Sequence, residues 1–289
     1  MSFPERLAAH AAAVQSCLDE ALAGYGDLPV VWGMRHAVGG GKRLRGFLVI
    51  ESAALFGVPL QRAVHAAAAI EALHAYSLVH DDLPCMDDDD LRRGLPTVHV
   101  KWDEATAVLT GDALQTLAFD LLARDAVGDA DVRVALIASL ARAAGARGMV
   151  LGQAQDIAAE TADVPLTLDQ ITALQANKTG ALIEWSAVAG AQMARADPGP
   201  LRQYARALGL AFQIADDILD VEGDSEVAGK RLQKDAGAGK ATFVSLLGLR
   251  AAKARARDLV AEAEAALAPY GADAESLRQA ASFVISRQM

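Results

Sequence analysis

Two groups of aspartates are the residues of this chain best suited to chemistry. Asp216, Asp217 and Asp220 sit in an apolar helical stretch, and a second run, Asp81-Asp82-Leu83-Pro84-Cys85-Met86-Asp87-Asp88-Asp89-Asp90, directly follows another. Asp216 and Asp220 are four residues apart and share one face of a regular helix. Two bare carboxylates there repel each other, and the neighbouring helical positions hold no cation to relieve them. A magnesium ion would, because it takes one or two carboxylates and completes its shell with water and phosphate oxygens. Asp81 and Asp87 are six apart, roughly 120° round an ideal helix, so they converge only where the helix is irregular. Pro84 supplies the irregularity by removing a backbone donor. Either cluster taken singly reads as a solvated acidic patch. A calcium loop is excluded: with Asp89 first, Gly94 falls correctly at position 6, but Leu91, Arg93 and Val100 fall where ligands belong.

Cations stand beside both clusters. Arg92 and Arg93 follow the first, and an earlier turn reads Gly39-Gly40-Gly41-Lys42-Arg43-Leu44-Arg45. That turn is neither a nucleoside-triphosphate loop, since Arg43 holds the Ser/Thr position, nor a dinucleotide fingerprint, since Leu44 replaces the last glycine. A glycine turn opening a helix and followed by Lys and Arg still makes an anion cradle. Lys178 precedes Thr179, and Lys230, Lys234 and Lys240 follow the second aspartate group. Each cation alone is a surface charge. Together with carboxylates that need a divalent ion, they point to a metal-bridged polyphosphate, and a diphosphate satisfies both sets at once.

Helices must position these groups. Of the 289 residues 53% are hydrophobic and only 5% aromatic, with Ala dominant, a mixture that favours helix. Apolar spacing predicts an all-α chain with helices over 5–24, 43–56, 60–82, 103–125, 130–159, 168–193, 199–221, 242–268 and 273–286, and no strands. Residues 63–79 and 179–193 are apolar nearly all round, as in helices buried on every side or at a homodimer interface. No linker, repeat or low-complexity segment divides the chain, so residues 1–289 read as one domain. The formal charge of −10 argues against nucleic acid or an anionic membrane as a partner. Cys17 and Cys85 belong to no metal-type cluster and read as free thiols of a reducing compartment. No uncharged apolar run approaches a membrane span, and no signal peptide is apparent, which makes the cytoplasm the default location.

At this point the chain resembles the short-chain trans-isoprenyl diphosphate synthases, in particular their bacterial farnesyl diphosphate synthase type. The resemblance runs from GGGKRLR (39–45) through HAYSLVHDDLPCMDDDDLRRGLPTVH (74–99), GQAQD (152–156), NKTG (177–180), FQIADDILD (212–220) and GKATF (239–243). It implies an isoprenoid-synthase helical bundle around a deep central cavity, with the two aspartate helices facing each other. By motif, Asp81, Asp82, Asp87, Asp216 and Asp220 would hold Mg2+, three ions once a diphosphate is bound. Arg92, Lys178, Thr179, Gln213, Lys230 and Lys240 would bind the allylic diphosphate. Gly41, Lys42, Arg45, His74 and Arg93 would bind isopentenyl diphosphate, and Gln153 and Asp156 would support the site. His74 precedes Asp81 by two helical turns and so shares its face.

The reaction implied is ionisation of an allylic diphosphate to a cation and pyrophosphate, attack by the isopentenyl double bond, and proton loss. Asp81, Asp82, Asp87, Lys178, Thr179, Gln213 and Asp216 are its expected catalytic groups. Product length in such enzymes depends on the residues four and five before the first aspartate, here Ser77 and Tyr76, and an aromatic there goes with a farnesyl product. Helical geometry puts Ser77, not Tyr76, on the Asp81 face. The alternatives are a geranyl or geranylgeranyl synthase, a terpene cyclase, which needs no second diphosphate site, and a catalytically silent subunit, which tends to lose aspartates. A magnesium-dependent nucleotide pyrophosphatase would favour Glu-rich helices.

Overall fold

The computed structural model describes residues 1–162, 164–222 and 241–286. The chain runs through α1 (Phe3–Ala23), α2 (Pro29–Ala37), α3 (Leu44–Leu55) and α4 (Leu60–Asp81), then a short hairpin of β1 (Leu91–Arg92) and β2 (Leu95–Pro96). There follow α5 (Val98–Lys101), α6 (Glu104–Ala123), α7 (Ala130–Ala144), α8 (Met149–Glu160) and α9 (Leu168–Gln175), which passes through a π-helical turn (Ala176–Gly180) into α10 (Ala181–Ala194). Beyond α11 (Gly199–Glu222) come α12 (Phe243–Leu247), α13 (Leu249–Ala266) and α14 (Glu275–Ser286).

Side-chain caps set several starts. Asp103 accepts the Thr106 N–H at 2.6 Å and Asp129 that of Val132 at 3.0 Å, while Thr167 and Gln170 form a reciprocal box that opens α9. The all-α expectation holds, and α4 and α10 are the helices enclosed on nearly every side. One core lies among α1, α3, α4, α6 and α7, around Leu18, Ile70, Leu73, Leu114 and Leu121. A second lies among α10, α11, α13 and α14, where the buried Tyr204 hydroxyl donates to the Leu277 carbonyl at 2.8 Å. α10 serves both cores, with Leu182 and Trp185 in the first and Ile183 and Ala187 in the second.

The structure departs from the expected elements in several places. Residues 29–37 form α2, begun by Pro29 in the first turn, where its missing N–H costs nothing. The stretch 130–159 is two helices: Gly145 N–H turns back to the Ala141 carbonyl and Gly148 N–H to Gly145, interrupting the rod. Ala130–Glu160 is long and apolar enough by composition alone to cross a bilayer, although Arg142 and Arg147 stand within it. Its longer piece, α7, has 15 residues, about 23 Å at 1.5 Å each, against roughly 30 Å of hydrocarbon. Gly248, at φ +79°, separates α12 from α13 within 242–268. Finally, strands are present, two residues each: Leu91 pairs with Pro96 and Arg92 with Leu95 across the turn Arg93-Gly94. Both turn residues have positive φ, which matches the right-handed twist of a tight hairpin.

Candidate active site

α4 delivers the first aspartate group at its C-terminus. The helix ends at Asp81 rather than kinking at Pro84, and the chain then folds back on itself. Asp87 N–H donates to the Asp81 carbonyl at 2.8 Å and Asp89 N–H to the Asp82 carbonyl at 3.2 Å. This reversal brings together two residues that a straight helix would splay apart. Burial pushes the Asp81 carboxyl up to about 7; Lys178 opposes the rise and Asp87 adds to it. Asp82 is only 3% exposed, and burial raises it too, against the pull of Arg92. Arg92 Nε donates to Asp82 at 2.9 Å, and its terminal nitrogen reaches Asp89 at 3.2 Å. The Arg92 charge therefore braces the acidic turn, and a diphosphate would have to share it.

A chain of side-chain contacts leads from this turn to the second group. Gln153 of α8 donates to the Asp81 carboxylate, and Asp156, one turn on, accepts from Lys178 Nζ at 2.8 Å. Gly152 is what lets α8 lie against the π-helical turn, because a Cβ there would overlap the Lys178 backbone. Residues of that turn serve two neighbours: Asn177 donates to Gln155 of α8 at 3.0 Å, and the Thr179 hydroxyl donates to Gln213 of α11 at 3.2 Å. Asp216 and Asp220 are one and two turns along from Gln213. Asp217 has a different task. It is 6% exposed and accepts Gln213 Nε2 at 3.2 Å and the Phe243 N–H at 2.8 Å, which ties the start of α12 to α11.

The remaining cations gather by the glycine turn. Arg93 donates to the carbonyls of Gly39 at 3.1 Å and Gly40 at 3.3 Å, and a Cβ on Gly41 would stand 2.8 Å from its guanidinium carbon. Lys42 lies over the Phe283 ring at 5.4 Å. Arg43 points elsewhere: buried and at φ +50°, it bonds Gln15 and the Val38 carbonyl and serves the start of α3. Arg45 carries a buried Nε with no hydrogen-bond partner among the described residues. His74 is held well below the ordinary imidazole range by burial and then by Arg45, Arg93 and Arg92, so it is neutral at pH 7. Sequence reasoning missed Glu71. This buried carboxylate accepts the Gly46 N–H at 2.8 Å and offsets the burial of Arg43, Arg45 and Arg93. The signal was a lone carboxylate in an alanine-rich run, three residues before His74 on the same helix.

Tyr76 is partly buried and meets His80 edge-on at 5.1 Å, while the Ser77 hydroxyl donates to the His74 carbonyl of its own helix at 2.9 Å. Cys17 is buried, Cys85 is exposed, and both are free thiols. Lys230, Lys234, Asp235 and Lys240 lie outside the described residues. Among the described residues no three ligating side chains form a ready-made metal cage. The donors nevertheless fit magnesium. They are hard oxygens in ones and twos, and burial, with Asp87 and Asp82 close by, holds the Asp81 carboxyl up near 7, where a divalent cation would favour its charged form.

The sequence matches the Polyprenyl synthetase family over residues 33–280. The chain belongs to that family. It is 46% identical to the farnesyl diphosphate synthase of Escherichia coli strain K12, with 99% of each chain covered. It is 44% identical to that of Haemophilus influenzae, over 91% of this chain and 90% of the other. A solved FPP/GFPP synthase from Zymomonas mobilis superposes with a TM-score of 0.90 at 46% identity, covering 98% of both chains. As a polyprenyl synthetase the chain has the all-α isoprenoid-synthase bundle that its motifs implied.

Proposed function

We propose that this polyprenyl synthetase condenses isopentenyl diphosphate with an allylic diphosphate, dimethylallyl and then geranyl, to give farnesyl diphosphate and pyrophosphate. The observation that carries the reading is the contact chain from Asp81 through Gln153, Asp156, Lys178, Thr179 and Gln213 to the helix of Asp216. It links two acidic groups far apart in sequence and puts a lysine between them. The farnesyl diphosphate synthases it resembles along nearly their whole length support the same reaction.

In this reading Asp81, Asp82, Asp87, Asp216 and Asp220 hold Mg2+, which when bound supplies Lewis-acid neutralisation of the leaving diphosphate. Lys178 takes up charge as the C1–O bond breaks, and Arg92 shares in the task; Lys230 and Lys240 are assigned to the same diphosphate by motif. The Thr179 hydroxyl and Gln213 amide, bonded to each other, offer oxygen dipoles to the allylic cation without attacking it. Gly41, Lys42, Arg45, His74 and Arg93 hold the diphosphate of isopentenyl diphosphate, the neutral imidazole donating one N–H. The double bond then attacks the cation and the departing pyrophosphate takes the proton. The buried walls keep out water, which would convert the cation to an alcohol.

Residues 1–289 act in this reading as one polyprenyl synthetase domain of the cytoplasm whose ligands are diphosphates rather than nucleic acid. A second copy of the chain covers the apolar side chains of α6 and α7, where Leu109 is 56% exposed and Val134 64%. Incubation with dimethylallyl and isopentenyl diphosphates plus magnesium should release pyrophosphate and a fifteen-carbon diphosphate. No condensation product would mean a silent subunit instead.

A further inference from the structure

A cavity of about 630 Å3 opens between α7, α10 and the first half of α11, and none of the residues assigned to the reaction lines it. That volume falls in the range of small-molecule sites, roughly 300–1,000 Å3. Its charged lining is Arg142, Arg147, Arg202, Arg206 and Glu184, a net +3 in a chain whose formal charge is −10. Arg202 and Arg206 both hold Glu184, at 2.9 and 3.0 Å. Arg142 and Arg147 have no ion pair or hydrogen bond among the described residues. Gln175 adds a buried amide oxygen without a partner among the described residues. The apolar part of the wall is Trp185, Val188 and Leu210.

We propose that this cavity binds an organic diphosphate bearing an apolar tail, at a site separate from the aspartates. Guanidinium groups match phosphate oxygens two at a time, and two of the four here are uncommitted. An inorganic anion would leave the apolar wall wet, and a neutral apolar molecule would leave the arginines unanswered. The ligand class follows from the cavity's own chemistry and does not rest on the reaction proposed above. Occupancy has a route to that reaction: Asn177 and Gly180 line the cavity, and between them Lys178 and Thr179 bond Asp156 and Gln213 on the other side of the same π-helical turn.

The chain has three tryptophans, so a W32F/W102F variant leaves Trp185 as the only indole and a reporter of the cavity. The probe is farnesyl diphosphate in excess EDTA, which removes any divalent bridge to the aspartates. It should shift Trp185 emission saturably, and adding R142A/R147A should raise the apparent Kd at least about tenfold. K42A/R45A, at the other cationic cluster, should leave the titration unchanged. Equilibrium dialysis of labelled farnesyl diphosphate against R142A/R147A with its tryptophans intact repeats the comparison and should show one class of sites lost. Wild-type turnover in R142A/R147A alongside that loss would separate the cavity from the reaction. An emission that never changes, or a change abolished by K42A/R45A and untouched by R142A/R147A, overturns the proposal.

Discussion

The Thr179 hydroxyl donates to Gln213 Oε1 at 3.2 Å, and this bond joins the π-helical turn to α11, the helix that carries Asp216. The residue before Thr179 reaches the opposite way, to Asp156 of α8. Two consecutive side chains thus tie three elements together at the point where the two aspartate groups are linked.

Lys178→Ala is expected to lower kcat about 10²–10³-fold, the range for removing one preorganised charge partner of a transition state. Asp156→Asn should cost only about tenfold, because the lysine keeps its charge and loses its anchor. Steady-state kinetics on both variants checks the order; a larger defect in Asp156→Asn would reverse the roles.

Neighbouring aspartates on α11 should behave in opposite ways. Asp217→Ala leaves the Phe243 N–H without its acceptor, so stability should drop by about 1–3 kcal/mol in denaturant melts. Asp216→Ala should lose less stability than Asp217→Ala while turnover falls at least about 10²-fold. Equal melting losses would contradict the division.

Magnesium should protect the protein in a pH-dependent way. The fold raises the Asp81 carboxyl to about 7, above its unfolded value, so this group favours the fold fully at low pH and loses that contribution as pH rises through about 7. A divalent ion needs the carboxylate form and competes with the proton. The rise in Tm on adding MgCl2 should therefore be larger near pH 8 than near pH 6, and Asp81→Asn should flatten the difference. Identical shifts at both pH values in the parent protein would count against Asp81.

Glu71→Gln removes the carboxylate facing three arginines. We expect a loss of about 3 kcal/mol, the scale for breaking a buried charge pair. Inorganic pyrophosphate should then raise the Tm of the variant more than that of the parent, since an anion replaces part of the lost charge. A pyrophosphate effect no larger than in the parent would separate Glu71 from the anion cluster.

Tyr76→Ala should lengthen the product by at least one five-carbon unit, as read by chromatography of the dephosphorylated alcohols. Removing the ring opens space beside His80. An unchanged chain length would take Tyr76 out of length control.

The candidate site was legible only in combination, because carboxylates that need a divalent ion stand beside cations that need an anion; Asp216 and Asp220 alone read as a solvated patch. The helices were legible where apolar spacing was strong, as in α4 and α11. What spacing could not show was which of several like residues does which job. Lys42, Arg43 and Arg45 are alike in sequence, yet Arg43, at φ +50°, turns inward to bond the Val38 carbonyl and Gln15. Asp216 and Asp217 differ only in the helical face they occupy, and a backbone N–H from α12 claims one of them. Breaks such as residues 145–148 escaped because glycine is tolerated in helices, and only tertiary packing decides whether it ends one.

The π-helical turn also has a historical consequence. It amounts to one surplus residue in an otherwise regular helix, and deleting Ala176 would restore ordinary periodicity at the price of rotating everything before it by about 100°. Ile171 would swing out of the second core, and Leu174 would leave its buried position. A lineage that gained this residue could build a lysine and a threonine facing different neighbours in a single step, and then pack α9 around the new phase. After that packing, no single deletion leads back. The insertion works as a ratchet, locked by residues that take no part in the chemistry.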